Sequence, residues 1–128
     1  MAKVIFDTNM ILRYLLSDNP IMYEKSKQLL KQGNVWVTLE VIAEVFYVLR
    51  KVYSLDRQII SDKVRDFTKL VKCNKDAVLN LAIDTYATNN LDFVDCILYA
   101  YSKIDGFEIA TFDKKLLHLL NRERDQQP

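Results

Sequence analysis

The chain has 128 residues, half of them apolar, with seven Tyr and six Phe. That excludes a disordered polar segment and allows one ordinary domain with a core of its own. Eighteen basic residues against seventeen acidic leave a net charge of +1, which excludes a strong overall nucleic-acid footprint.

Only two Gly and two Pro occur, so loops are few and helices should dominate. Lys3 to Phe6 reads as a short buried strand ending on Asp7. A helix follows from about Met10 to Leu16 and is broken by Asn19-Pro20. Met22 to Lys31 is the second helix, with Gly33 suited to its C-terminal cap. Val35 to Val37 is the second strand, and Thr38 caps a long helix reaching about Tyr53. Ser54 or Asp56 starts another helix to about Val71. Asp76 to Thr88 and Phe93 to Ile104 are two more. Gly106 punctuates, Phe107 to Ala110 is a strand, and Lys114 to Leu120 is a short helix. The tail from Asn121 to Pro128 is polar and should fray.

No repeat, linker or low-complexity segment divides the chain, so residues 1–128 are expected to form a single domain. Short apolar strands separated by helices indicate parallel pairing in a layered α/β fold. Cys73 and Cys96 have neither metal-ligand spacing nor a disulfide framework, and buried reduced thiols are expected. The N-terminal apolar run is too short for a signal peptide. No stretch approaches the roughly 20 apolar residues that span a bilayer. A soluble cytoplasmic protein without membrane contact is therefore expected.

Sites in open parallel sheets form at the carboxyl ends of strands. That rule selects Asp7, Thr38, Thr111 and Asp113. Helix capping explains Asp7 and Asp113 equally cheaply. Glu44 lies about 40° from Val48, at the edge of the apolar face of its helix. Asp92 and Asp95 open a helix, where the dipole favours acids, and wheel geometry puts Asp95 with Ser102 and Tyr99 on a polar face. His118 is the only histidine and reads as a structural helix residue, and no Gly-rich phosphate loop exists. The clustered acids therefore offer oxygen only. Hard cations such as Mg²⁺ or Mn²⁺ take carboxylate oxygens, and their usual partners are substrate phosphates.

The succession "VIFDTN", "TLEVIAEVFYVL" and "LDFVDCILYAYSKIDGFEIATFDKKL" resembles a PIN-domain ribonuclease, especially the VapC-like toxins. The resemblance covers nearly the whole chain. It implies a three-layer α/β/α fold with a central, mostly parallel sheet of four to five short strands. It places the family's catalytic, metal-holding acids on Asp7, Glu44, Asp95 and Asp113. Asn9 and Thr111 match auxiliary polar positions, and Asp92 offers a second acid beside Asp95. The implied activity is hydrolysis of RNA phosphodiesters with Mg²⁺ or Mn²⁺, leaving 5′-phosphate and 3′-hydroxyl ends. Arg13, Lys114 and Lys115 lie near these motifs and are candidates for binding substrate. The implied partners are RNA, a cognate antitoxin and a second copy in a homodimer. Family members usually finish with another short strand, whereas "HLLNRERDQQP" shows no strand pattern. Two other readings remain open. One is an RNA-binding or scaffold PIN domain without catalysis. The other is a phosphatase resembling the haloacid dehalogenases, which want a second Asp where this chain has Asn9.

Overall fold

The computed structural model describes residues 2–125. The chain runs β1 (Val4–Ile5), α1 (Thr8–Leu16), α2 (Pro20–Lys31), β2 (Val35–Trp36), α3 (Leu39–Lys51), α4 (Arg57–Thr68), α5 (Asp76–Thr88), α6 (Phe93–Asp105) and α7 (Lys114–Asp125). The two strands pair in parallel, with Val4 opposite Val35 and Ile5 opposite Trp36. A bridge from Trp36 to Lys72 extends the parallel pairing on the far side of β2.

The first three helices begin where their local sequence supplies a cap. Asp7 accepts from Met10 N at the head of α1, Asn19 from Met22 N at α2, and Thr38 from Val41 N at α3. Pro20 occupies the first turn of α2, where its missing N–H costs nothing. Gly106 closes α6 with φ of 75°, a left-handed conformation that costs glycine little. The buried Ser26 ties α2 to α1 by donating to Met10 O and Met22 O.

The core is aromatic as well as aliphatic. Phe46 of α3 stacks on Phe93 of α6, with ring centroids 3.9 Å apart, and meets Tyr86 of α5 edge-on at 4.7 Å. This cluster locks α3 to the consecutive helices α5 and α6, which come much later in the chain. Helix α6 is packed by both α5 and α3. It therefore buries more than one stripe: Tyr99 is buried and Val94 exposed, the reverse of the wheel expectation. Cys96 is buried in this helix as a free thiol, and burial pushes its pKa up to about 12, so it is an unreactive core residue.

The expected sheet of four to five strands is corrected to two short strands and one bridge among the described residues. Phe107 to Ala110 forms no strand. Phe107 N bonds back to Tyr101 O, and the Phe107 ring meets Tyr101 edge-on at 5.8 Å. These contacts hold the segment against α6 instead of alongside β1. The first strand consequently keeps an open edge, and Ile5 is 63% exposed rather than buried. Helix α7 runs on to Asp125, through most of the expected frayed tail, while residues 126–128 lie outside the described part of the chain.

Phe46→Ala removes a buried ring shared by α3, α5 and α6. It is expected to cost about 3–5 kcal/mol, seen as a lower urea midpoint with an unchanged slope. An unchanged midpoint would mean that the aromatic cluster does not hold these helices together.

Candidate active site

Both strands turn into helices in the same way. Two residues after Ile5 comes Asp7, and two residues after Trp36 comes Thr38, each the N-cap of the next helix. Parallel pairing in that register starts α1 and α3 side by side. Thr8 then reaches across and donates its hydroxyl to Glu44 Oε2 at 2.7 Å. Glu44 is thereby held beside the residue next to Asp7. In the fold Asp7 caps α1, and the Thr8 hydroxyl is left to orient the glutamate.

The second group of acids belongs to α6 and α7. Asp92 sits at the N-cap of α6 without a side-chain capping bond, and Asp95 lies in its first turn. Asp113 caps α7, accepting from Leu116 N at 2.8 Å. Thr111 Oγ1 accepts from Asp113 N at 3.0 Å and fixes the turn that presents this acid. Burial raises the Asp95 pKa above the usual carboxylate range, and the negative charges of Asp113 and Asp92 push it further up. Three carboxylates thus lie within electrostatic reach of one another.

Asp7 with Glu44 forms one half of the site, and Asp92, Asp95 and Asp113 the other. Among the described residues, no three acidic, His or Cys side chains are gathered closely enough to cage a metal ion. The segment leading to Asp113 does not pair with β1, so no strand register fixes Asp113 beside Asp7. The donor chemistry nevertheless suits a hard cation. The site offers carboxylate oxygens, and their mutual repulsion is what a divalent ion relieves. Mg²⁺ keeps several waters and needs only one or two carboxylates when substrate phosphate completes its shell.

Asn9 lies exposed in the first turn of α1. The Arg13 guanidinium is paired with Asp18 at 2.7 Å and donates to Tyr53, so its charge is largely offset. Lys114 and Lys115 line a groove of about 390 Å³ together with His118 and Arg122. His118 is a helix residue as expected, but its exposed side chain faces this groove. A second groove, of about 440 Å³, has Asp92 and Asp95 in its wall along with Tyr47, Arg50 and Lys51. No role follows from the sequence for these three α3 residues, and only the fold reveals their place beside the acids.

The PIN domain family model matches residues 4–120. The chain belongs to the PIN domain family. PIN domains are three-layer α/β/α folds and generally nucleases, commonly dependent on divalent metals. No curated protein and no solved structure matches the chain. In this PIN domain the sheet layer is reduced to its two-stranded centre and the bridge at Lys72. No helix among the described residues is long and apolar enough to cross a membrane.

The raised Asp95 pKa has a consequence for stability. Its ionised form is disfavoured in the folded chain, so Asp95→Asn is expected to raise Tm at neutral pH in metal-free buffer. The gain should shrink as pH falls through the Asp95 titration. It should vanish below the ordinary aspartate range, where folded and unfolded chains are both protonated. Thermal unfolding across a pH series checks this, and a variant no more stable than the parent at neutral pH contradicts it.

Proposed function

We propose that this PIN domain is a divalent-metal-dependent endoribonuclease, the toxin of a toxin–antitoxin pair acting in the cytoplasm. The observation that carries the reading is the placement of Asp92 and Asp95 in the wall of a groove with Arg50 and Lys51, with Asp113 within electrostatic reach of Asp95, in a chain of a generally nucleolytic family.

In this reading Asp7, Glu44, Asp95 and Asp113 hold one or two Mg²⁺ or Mn²⁺ ions, with Asp92 as an auxiliary acid. A divalent ion held there supplies Lewis-acid charge to an RNA phosphodiester and makes bound water a nucleophile near neutral pH. The protein's part is orientation. Met10 N holds Asp7 Oδ1 and leaves Oδ2 for a cation. Thr8 holds Glu44 Oε2 and leaves Oε1. Leu116 N holds Asp113 Oδ1 while Thr111 fixes the turn before it. Asn9 is placed to orient water or a carboxylate at the start of α1. Lys114 and Lys115 attract the RNA backbone, and Arg13, already paired with Asp18, contributes less.

Support for a protein partner is the exposed apolar surface beside the acids. Phe112, next to Asp113, is fully exposed, and Val94, next to Asp95, is more than half exposed. An antitoxin segment that covers this face would silence the site, and a second copy would cover part of the same surface. The separation of the acids into two halves favours one alternative, an RNA-binding PIN domain without catalysis.

Purified protein is expected to cleave single-stranded RNA with Mg²⁺ or Mn²⁺, to leave 5′-phosphate ends, and to stop in EDTA. Asp95→Asn and Asp7→Asn should each lower the rate by about two orders of magnitude, the scale of losing one charge-stabilising group. RNA that is bound by both parent and Asp95→Asn but cut by neither selects the non-catalytic reading. Growth arrest on expression, relieved by Asp95→Asn, tests the toxin role.

A further inference from the structure

We propose that the groove on α3, walled by Tyr47, Arg50 and Lys51, is a second RNA-binding arm, so that single-stranded RNA crosses the acids held from both sides. The proposal rests on the ribonuclease reading and names where the substrate strand lies.

The two grooves meet. Asn90 lines both, and it precedes Asp92 by two residues. On one side of that junction stand Lys115 and Arg122 of α7; on the other stand Arg50 and Lys51 of α3. The acids lie between, since Asp92 and Asp95 line the α3 groove and Asp113 heads α7. Positive charge therefore flanks an acidic centre on two sides. A polyanion carries one charge per repeat and fits such a track: its neighbouring phosphates meet cations while one phosphate sits at the acids.

The α3 arm also has what a base needs. Tyr47 is 64% exposed beside Arg50 and Lys51, a ring presented to solvent next to phosphate-binding charge. Bases stack on such rings regardless of sequence, and duplexes do not offer unstacked bases. Single-stranded RNA is therefore the occupant that uses ring and charges together. An acidic peptide would use the charges alone.

The test is fluorescence anisotropy of the full chain with a labelled single-stranded RNA in EDTA, where no cleavage occurs. Lys51 and Tyr47 are exposed, so each can be changed without opening the core. Lys51→Ala is expected to weaken binding several-fold and to lower the slope of log K against log salt by about 0.7, one phosphate contact on a single strand. Tyr47→Ala should weaken binding about tenfold with the slope unchanged, and Tyr47→Phe should restore it, because stacking needs the ring and not the hydroxyl. Parent-like binding and slope in both alanine variants would overturn the arm, as would equal competition by polyglutamate, which would assign the groove to an acidic protein segment. Cleavage by the parent chain in Mg²⁺ or Mn²⁺ is scored separately. An arm that binds RNA in a chain that never cuts would sink the nuclease reading alone, and a cutting chain with unaffected variants would sink the arm alone.

Discussion

The parallel register of β1 and β2 is the constraint on which the rest depends. Val4 opposite Val35 and Ile5 opposite Trp36 make both strands end at one edge, and each needs only two more residues to reach a helix cap. Two helices then start abreast, with their unsatisfied N–H groups and positive dipole ends at that edge. A one-residue slip would turn Asp7 to the other face and break the Thr8–Glu44 contact. The strands contribute little hydrogen bonding of their own, so the register is kept by what packs around it. Phe6, Val35 and Val37 are buried in the core with Ile42 and Val45 of α3.

Capping and the proposed catalytic role look like competing explanations for an acid at a helix start, but one side chain can serve both. Asp7 and Asp113 each give one oxygen to a backbone N–H at a helix start and keep the other. Asp95, without a capping bond of its own in that role, lies in the first turn of α6, where the helix dipole favours its charge. Helix N-termini thereby offset part of the repulsion that crowding creates, and the fold tolerates an acidic centre. The Asp95 pKa is nevertheless raised, by burial first and then by the charges of Asp113 and Asp92. Arg57 steadies the same end of the site. Its guanidinium lies 3.8 Å over the Tyr86 ring and donates to Tyr86 O and Leu91 O, tying the loop before Asp92 to α4.

Most of the helices were legible because their caps and apolar periods agree. Asp76 to Thr88 is α5 as expected, and Gly106 ends α6. Asp7 was legible as the acid that follows β1, and Asp92 and Asp95 as acids that open α6, whereas the strand expected before Asp113 does not form. What failed in the sequence reading was whatever depends on a distant neighbour. Val52 has the helical phase of the buried Leu49 and Val45, yet it is exposed, since α3 ends one residue before it. Tyr99 sits on a nominally polar face but is buried, because α6 is enclosed from two directions. Phe107 to Ala110 alternates like a strand, but the pull of Tyr101 on Phe107 decides where it lies. Local pattern cannot weigh that contact against a ladder with β1.

The nearly neutral composition conceals an arrangement that is far from neutral locally. Asp92 and Asp95 share a groove with Arg50 and Lys51 of α3, and Lys114, Lys115 and Arg122 of α7 line the neighbouring groove. Mixing the same charges evenly would give the same net charge and a weaker field at any point. Separation costs repulsion within the acidic centre, which is visible at Asp95. In the ribonuclease reading it gives an RNA strand a reason to lie across the acids: the flanking cations attract it, while the centre repels phosphate until a divalent ion is held there. In the ribonuclease reading, binding and cutting are then separable by charge. The arms hold the strand with or without metal, and the centre admits a phosphate only when its carboxylates are neutralised.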